Sequence, residues 1–391
     1  MILAVDATRA VGLRTGVGRL LEYLIGSWSH GPLPFEQIRV LSPAPITDLP
    51  NDDRFVLDLV PGSGSGLWWQ AAHLRARAER ADALFAVYTV PPWFRGRSVV
   101  YNLGIYEGPY AIGGWRARAH SWHMARSARD ANHVFAVSPT TKSDLVHHYG
   151  VPADRISLAW AGRDPRFRPP REEERVAAAE KIAETIGGRG PYFLFVGKLS
   201  KRRNVPALIA AFASVAASGD SRLILVGGPN SSNLPLERII ADLGLKDRVR
   251  QLLVDRETLI QLYRFARAFV MPTENDGFSL TILEAMASGL PVVTLRGAPL
   301  GVLDQLDGPR DHSQGGPVLE AADARPVSLA KAMALLAEDD QLCAELGRRG
   351  ERYAATFPSW DETAALIMEA LAEVAGADRS QPPVAESRGR G

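Results

Sequence analysis

The sequence predicts an α/β protein of two domains, and two observations support this fold class. Apolar runs of strand length alternate with amphipathic runs of helix length along the chain, a pattern typical of parallel α/β sheets. The alternation restarts near Tyr192, and 391 residues are more than one hydrophobic core usually spans. We therefore expect two Rossmann-like domains that face each other across a cleft.

Each series divides into strands and helices at positions that the periodicity predicts. In the first series, strands are expected over residues 2–6, 37–41, 83–87, 99–102, 134–138 and 156–159, with helices near 18–28, 68–80, 114–131 and 140–149. In the second series, strands are expected over 192–196, 222–226, 249–254, 268–271 and 292–295, with helices near 206–217, 236–243, 256–266 and 280–288. The predicted domains are residues 1–168 and 191–357, joined by a linker and helix over 169–190. A Gly-, Pro-, Ser- and Arg-rich tail over 376–391 is expected to be disordered.

The composition is that of a water-soluble globular protein, with 46% hydrophobic and 23% charged residues. No apolar run reaches the roughly 20 residues that a membrane-spanning helix needs. The first residues lack the basic, apolar and cleavage regions of a signal peptide. Because Cys343 is the only cysteine, an intramolecular disulfide is excluded, and a cytoplasmic location is expected.

Charge and tryptophan are distributed unevenly along the chain. Residues 1–168 carry a net charge of +5 and residues 169–391 a net charge of −4, and seven of the eight tryptophans lie in the first part. This asymmetry is compatible with simple drift between two domains. It is equally compatible with a first domain that meets an anionic partner or the inner face of a membrane as a peripheral protein.

The most informative stretch begins at Met271, where a predicted strand ends. A glycine-containing turn follows, and a predicted helix begins near Leu280. Backbone N–H groups at such a helix start, with the helix dipole behind them, form an anion site. The amides of Phe278, Ser279 and Leu280 would therefore meet a diphosphate.

Two carboxylates flank this turn, Asp276 before it and Glu284 one helical turn inside the helix. One carboxylate can reach a sugar while the other reaches ribose hydroxyls. The same pattern is also that of an ordinary strand–turn–helix unit in which Glu284 is a solvated helix residue.

The stretch resembles the acidic–x7–acidic motif of retaining GT-B glycosyltransferases of family 4, the glycosyl transferases group 1. The usual form of that motif is Glu-Gly-Phe-Gly-Leu followed by Leu-Glu-Ala-Met-Ala. This chain has Asp276-Gly277-Phe278-Ser279-Leu280 and then Leu283-Glu284-Ala-Met-Ala. Aspartate thus replaces the first glutamate, which keeps the charge but shortens its reach, and serine replaces the second glycine.

A second motif follows the strand over 192–196, as Gly197-Lys198-Leu-Ser-Lys-Arg-Arg203-Asn. In the family that the chain resembles, basic residues at the positions of Lys198 and Arg203 hold the donor diphosphate and stabilise its leaving charge. From the residues alone, these cations oppose the dipole of the helix that follows, and a bound polyanion would explain them.

A third motif, Thr15-Gly16-Val17-Gly18-Arg19, follows the first strand. Leu21 occupies the third glycine position of a dinucleotide fingerprint, and eight residues separate Asp6 from Thr15. This long loop disfavours an NAD-dependent enzyme. The motif resembles the common opening of the family, in which Gly16 and Gly18 would let the loop approach the sugar and diphosphate.

The acceptor side departs from the family. Relatives often have His-Asp after the fourth strand of the first domain, whereas this chain has Tyr101-Asn102-Leu-Gly-Ile-Tyr-Glu107. Asn102 and Glu107 are therefore candidate acceptor residues. On the following helix, Trp115, Arg118 and Trp122 lie on one stripe that suits a lipid headgroup or a phosphate-bearing acceptor, or that simply forms a solvated helix with packed tryptophans.

The resemblance, over roughly residues 1–375, implies a retaining hexosyltransferase that uses no metal or other cofactor. Its donor would be a UDP- or GDP-linked sugar, mannose or another hexose, held by Lys198, Arg203, Asp276, Glu284 and the amides of 278–280. Its acceptor would be a glycan or a lipid-linked saccharide in polysaccharide or glycoconjugate biosynthesis. The resemblance also implies that a helix over 358–375 crosses back to the first domain.

Three alternatives stay open at the level of the sequence. The chain is also compatible with a nucleotide-sugar epimerase, with an inverting transferase, and with a non-catalytic protein that binds glycans or partner proteins. No Asp-x-Asp motif, zinc-ligand spacing, P-loop or nucleic-acid module occurs. Glycosyltransferases of the other large fold, zinc proteins, P-loop proteins and nucleic-acid-binding proteins are therefore not expected.

Overall fold

The structure is a computed structural model that describes residues 1–11, 16–46, 48–62, 66–105, 115–228 and 234–376; the side chains of residues 115–117 are outside the description. The chain forms two compact units. One comprises residues 1–162 together with the segment that begins at Trp360, and the other comprises Arg163–Ser359.

The first unit is built on a seven-stranded parallel sheet. Its strands are β1 (Ile2–Asp6), β2 (Gln37–Ser42), β3 (Phe55–Leu59), β4 (Ala83–Val87), β5 (Ser98–Asn102), β6 (His133–Ala136) and β7 (Ile156–Leu158). They are ordered β3-β2-β1-β4-β5-β6-β7, and Val5 of β1 is paired with Val40 on one side and Phe85 on the other. The strand order therefore reverses direction between β1 and β4.

The helices of this unit are α1 (Gly16–His30), α2 (Leu67–Trp69), α3 (Arg75–Ala78), α4 (Trp115–Asp130) and α5 (Pro139–Tyr149), with a π-helical turn over Gln70–Leu74 between α2 and α3. Local sequence fixes the ends of α5. The Ser138 hydroxyl accepts a hydrogen bond from the Thr141 amide, and Pro139 occupies the first turn. Gly150 ends the helix in the left-handed conformation, which a glycine adopts without steric cost.

The second unit has a six-stranded parallel sheet, ordered β10-β9-β8-β11-β12-β13. Its strands are β8 (Tyr192–Val196), β9 (Arg222–Val226), β10 (Val249–Leu252), β11 (Ala268–Val270), β12 (Val292–Leu295) and β13 (Leu319–Ala321). Its helices are α6 (Glu172–Ile186), α7 (Val205–Ala217), α8 (Leu236–Asp242), α9 (Arg256–Phe265), α10 (Leu280–Ala287), α11 (Pro326–Glu338) and α12 (Asp340–Ala354). The central strands β8 and β11 are buried along their whole length, as parallel strands covered on both faces should be.

Ion pairs hold α6 within the second unit. Glu174 pairs with Arg168 at 2.6 Å and also with Arg264 of α9. The hydrogen bonds from Arg168 lower the pKa of Glu174 to about 2. The helix predicted within the linker segment therefore packs on the second unit. The division between the units falls at Gly162, a few residues before the predicted boundary.

The last helix, α13 (Trp360–Gly376), belongs to the first unit, which confirms that the chain returns there. Trp360 stacks on Tyr23 of α1 with ring centroids 4.5 Å apart. The Trp28 indole donates a hydrogen bond to the Ala364 carbonyl at 2.9 Å. Burial of these aromatic faces explains why the helix leaves the second unit.

Candidate functional site

In the second sheet, the strand order reverses direction between β8 and β11, which are neighbours. The chain leaves β8 toward one edge of the sheet and β11 toward the other, so a crevice opens beyond their carboxyl ends, where open α/β sheets bind ligands. The loop after β8 contains Lys198 and Arg203, and the loop after β11 contains Asp276. The topology thus brings together two predicted motifs that are distant in sequence.

Arg203 and Asp276 form an ion pair at this point. Nη2 of Arg203 donates to Oδ1 of Asp276 at 3.1 Å and to Oδ2 at 3.2 Å. The two side chains are only 14% and 13% exposed, so solvent screens the pair less than a surface pair. The predicted diphosphate-binding cation and the predicted sugar-facing carboxylate therefore contact each other directly.

The backbone around Arg203 is shaped for this contact. Residues Lys201–Arg203 form a 3-10 turn, and Asn204 ends it in the left-handed conformation with φ of 52°. The Asn204 side-chain amide donates to the Pro272 carbonyl at 2.8 Å, which ties the loop after β8 to the loop after β11. A Cβ atom at Gly197 would lie 2.5 Å from Nη1 of Arg203, so glycine makes room for the guanidinium.

The turn before α10 is held by the segment that follows β12. The Gly277 carbonyl accepts a hydrogen bond from the Gly301 amide at 2.8 Å, and the Phe278 carbonyl accepts one from Val302 at 2.9 Å. The Phe278 ring is buried and meets Phe357 edge-on at 5.8 Å. Phe278 therefore anchors the turn in the core.

Ser279 caps α10 in the left-handed conformation, with φ of 64°. This conformation costs a non-glycine residue about 1–2 kcal/mol. The Ser279 hydroxyl donates to Oδ2 of Asp276 at 2.8 Å, and a hydrogen bond to a charged group contributes about 1.5–3 kcal/mol. The hydroxyl bond to Asp276 can therefore offset the backbone strain of having serine at this position.

The start of α10 presents N–H groups and a buried carboxylate. The amides of Ile282 and Leu283 bond to the Ser279 carbonyl, whereas Leu280 lies in the first turn, where helical amides have no partner within the helix. Glu284 is 7% exposed, which excludes the interpretation of a solvated helix residue. The first turn of α10 thus combines N–H groups that can bind an anion with a buried carboxylate.

The remaining cations of the loop after β8 are solvent-facing. Lys198, Lys201 and Arg202 are exposed, and Arg202 donates to the Asn275 carbonyl at 2.8 Å. Within the described part of the chain, Lys198 and Lys201 form no ion pair. Their charge is therefore available to an anionic ligand.

In the first sheet, the strand order reverses direction between β1 and β4, and we call the segments beyond the carboxyl ends of these strands the first switch region. Polar side chains lie there as well. The Arg9 guanidinium lies over the Tyr88 ring at 5.6 Å, and Tyr88 has a left-handed φ of 71°. The Ser127 hydroxyl of α4 accepts a hydrogen bond from the Val90 amide at 3.1 Å. His123 of α4 is 3% exposed, and burial lowers its pKa to about 4.

The predicted acceptor residues differ in their exposure. Asn102 is fully buried at the end of β5, where Oδ1 accepts from the Gly104 amide at 3.0 Å, and Nδ2 has no acceptor among the described residues. Arg118 is exposed, and Trp122 is 58% exposed with the Arg126 guanidinium over its ring. Glu107 and the side chain of Trp115 lie outside the described residues.

Gly16 and Gly18 form the first turn of α1, just beyond the end of β1. A Cβ atom at Gly16 would meet no atom within 4 Å, and Gly18 is buried. Thr15 and the three residues before it lie outside the description, so the proposed approach of this loop to a donor stays a prediction.

Two features of the sites escaped sequence reasoning. The hydroxyl of Ser279 binds Asp276, although the motif predicted a role only for the Ser279 amide. His123 is buried beside the end of β4, and no motif in the sequence indicated a role for it. Among the described residues, no group of three or more His, Cys, Asp or Glu side chains is arranged to hold a metal ion.

Family models match both units. Residues 32–167 match the model described as Glycosyltransferase Family 4, and residues 190–339 match the one described as Glycosyl transferases group 1. The chain belongs to this family of glycosyltransferases.

Curated relatives are similar over more than half of this chain. The D-inositol 3-phosphate glycosyltransferase of Salinispora tropica is 30% identical over 268 residues, which cover 64% of this chain and 53% of the relative. The protein of the same name from Nocardia farcinica is 30% identical over 278 residues, which cover 66% and 58%. The chain therefore spans about half the length of the curated relatives it matches.

Solved structures of low sequence identity share the fold. Sucrose-phosphate synthase from Thermosynechococcus elongatus has a TM-score of 0.77 at 17% identity, covering 96% of this chain and 99% of that one. WaaG, a glycosyltransferase involved in lipopolysaccharide biosynthesis, has a TM-score of 0.75 at 17% identity, covering 95% and 99%. HepE from Anabaena, solved in complex with UDP and glucose, has a TM-score of 0.72 at 17% identity, covering 95% and 98%. These likenesses confirm the GT-B fold with two Rossmann-like domains.

Proposed function

We propose that the chain transfers a hexose from a nucleoside-diphosphate sugar to a hydroxyl group and retains the anomeric configuration. The proposal rests on the second switch region, which comprises the loops beyond the carboxyl ends of β8 and β11. Arg203, Asp276 and the start of α10 meet there. A diphosphate needs cations and N–H donors, and a ribose needs a carboxylate. The loop after β8 supplies the cations, and the start of α10 supplies N–H groups and the buried carboxylate of Glu284, which supports the proposal.

In this proposal, the diphosphate binds Lys198, Arg203 and the amides of residues 278–280, while Glu284 accepts hydrogen bonds from the ribose hydroxyls. The UDP and glucose bound in HepE support a nucleotide-linked hexose as the class of donor. UDP- and GDP-linked mannose and glucose are the first donors to test.

The reaction breaks the bond between the anomeric carbon and the diphosphate oxygen, and its electron pair stays on the diphosphate. The acceptor oxygen forms the new bond on the same face, and its proton passes to the departing phosphate oxygen. No metal is needed for this balance, because fixed cations and helix amides stabilise the charge that develops on the leaving group. The protein contributes position and electrostatics rather than a covalent intermediate.

We propose that the acceptor binds the first unit and bears a phosphate. The names of the curated relatives support this class of acceptor, since they act on D-inositol 3-phosphate. The Arg9 guanidinium beyond the end of β1 supports it as well, because it is a cation that lies over the Tyr88 ring at 5.6 Å and can bind a phosphate. Glycan and lipid-linked acceptors that carry a phosphate belong to the same class.

A transfer assay tests the proposal. The chain is incubated with UDP- and GDP-hexoses and either D-inositol 3-phosphate or unphosphorylated inositol, and the product anomer is assigned by NMR. Arg203→Ala and Glu284→Ala should each lower turnover by about 10²–10³-fold, as loss of a charge-stabilising donor does in other enzymes. Arg238→Ala, at an arginine of α8 that is 81% exposed, is the matched control and should keep wild-type turnover. Full activity of either site variant, in a folded protein, would refute the assignment.

We further propose that the first unit contacts membranes peripherally. Trp68 and Trp93 are 81% and 51% exposed, and their ring centroids are 6.1 Å apart. Exposed tryptophans suit the interface of a bilayer, where an amphipathic ring lies at the level of the headgroups. Among the residues that the structure describes, no helix is long and apolar enough to cross a bilayer.

A further inference from the structure

We propose that Asp276 is a positioning residue in this chain: it acts through Arg203, the cation that binds the diphosphate, and Ser279 in turn fixes Asp276. This inference rests on the proposed function. It differs from the expectation that the first acidic residue of the motif touches the sugar.

The hydrogen bonds of Asp276 carry the first step. Its two oxygens accept three bonds, two from Nη2 of Arg203 at 3.1 and 3.2 Å and one from the Ser279 hydroxyl at 2.8 Å. A carboxylate has about four lone-pair positions, so most of its acceptor capacity is already used inside the protein. Little is left for a sugar hydroxyl.

The surroundings of Arg203 carry the second step. Its Nε is buried without an acceptor among the described residues, and Nη1 contacts the Met271 sulfur at 3.9 Å. Within that part of the chain, Asp276 supplies the oxygen atoms that orient the guanidinium. This contact fixes the direction of the remaining N–H groups of Arg203. A guanidinium that is already held in place loses less conformational freedom when it binds a phosphate.

The turn geometry carries the third step. Ser279 adopts a left-handed φ of 64°, a conformation that favours glycine, and its hydroxyl donates its hydrogen bond to Asp276. Aspartate is one methylene shorter than glutamate and so keeps its carboxylate beside this turn. The shorter acid and the serine hydroxyl therefore act as a matched pair that supports Arg203.

Binding of a nucleoside diphosphate without a sugar separates the two roles of Asp276. Isothermal titration with UDP and with GDP is carried out on the wild type, Asp276→Asn, Asp276→Glu and Ser279→Ala. Asp276→Asn should weaken diphosphate binding about tenfold or more, as loss of a charged hydrogen bond does. Ser279→Ala should weaken it less, and Asp276→Glu, which keeps the carboxylate, should bind more tightly than Asp276→Asn.

Glu274→Gln is the matched control, because it neutralises an exposed carboxylate two residues away, which accepts a 3.5 Å hydrogen bond from the Asn204 side-chain amide. It should bind UDP and GDP as the wild type does. If folded Asp276→Asn binds the diphosphates as well as or better than the wild type and loses affinity only for sugar nucleotides, Asp276 contacts the sugar and the inference is wrong. If Asp276→Asn does not fold, equal diphosphate affinity of Ser279→Ala and the wild type would likewise overturn it. A wild type that binds neither these diphosphates nor those of adenosine and thymidine refutes the proposed function itself, and this inference with it.

Discussion

At the scale of single residues, His123 combines almost complete burial with a polar ring. Burial, together with the charges of His120 and Arg126, lowers its pKa to about 4 from an ordinary value of 6.5. The unfolded chain therefore binds this proton more readily than the folded one between these two pH values. The free energy of unfolding should fall as the pH drops from about 6.5 to about 4, by up to about 1.4 kcal/mol per pH unit for one proton.

Urea denaturation of the wild type and of His123→Gln at pH 7.5 and at pH 5 measures this contribution. At pH 7.5 both states of the wild type hold a neutral ring, so that point serves as the internal reference. The wild type should lose more stability on acidification than the variant does. Equal losses in the two proteins would show that His123 is not protonated on unfolding.

The residues of the second site show what the sequence could predict. The family resemblance identifies Lys198 and Arg203, whereas the predicted strand–turn–helix unit also identifies Asp276 and Glu284 from the residues themselves. The ion pair between Arg203 and Asp276 was not predicted, because both were expected to face the ligand. Contacts between two loops depend on which strands are neighbours, and one sequence alone does not determine that order.

At the scale of elements, the glycines between α10 and α12 allow a close helix contact. A Cβ atom at Gly347 of α12 would lie 2.3 Å from the Gly289 carbonyl oxygen, so backbone would have to move to admit it. Gly347→Ala should lower the free energy of unfolding by about 1–3 kcal/mol, as overpacking does. Because α10 forms part of the donor site, nucleotide affinity should fall as well.

Gly219→Ala is the control for this change in the same unit. A Cβ atom there meets nothing within 4 Å, so the stability should change by no more than about 0.5 kcal/mol. Denaturant midpoints of the two variants and the wild type decide the matter. A Gly347→Ala protein as stable as the wild type would mean that α12 does not pack this closely on the end of α10.

The elements also show where prediction from sequence stops. The buried strands β1, β4, β8, β9 and β12 have the predicted bounds, because a continuous apolar run identifies a strand covered on both faces. Four elements were missed: β3, β13, α11 and α12. The strands β3 and β13 are sheet edges, where exposure and short length remove that apolar signal.

At the scale of the whole molecule, the exposed tryptophans of the first unit lead to a prediction about membranes. Vesicles of phosphatidylcholine and phosphatidylglycerol should sediment with the wild type at low salt. The double variant Trp68→Ser/Trp93→Ser should bind less, because two interfacial aromatic rings are lost.

Leu253→Ser, at a 56% exposed leucine of the second unit, is the matched control and should bind vesicles as the wild type does. Equal vesicle binding by the double tryptophan variant would assign membrane contact to another surface. Absence of binding by the wild type would refute peripheral membrane contact for this chain.

The central claim is that the second unit binds a nucleoside-diphosphate sugar through Arg203 and the start of α10. Thermal unfolding in the presence of UDP-, GDP-, ADP- and TDP-linked hexoses tests it most directly, since a ligand present at 100 times its Kd adds about 2.7 kcal/mol of stability. We predict that at least one donor raises the Tm of the wild type and that Arg203→Ala largely abolishes this rise. A folded wild type whose Tm responds to none of the four donors would contradict the claim.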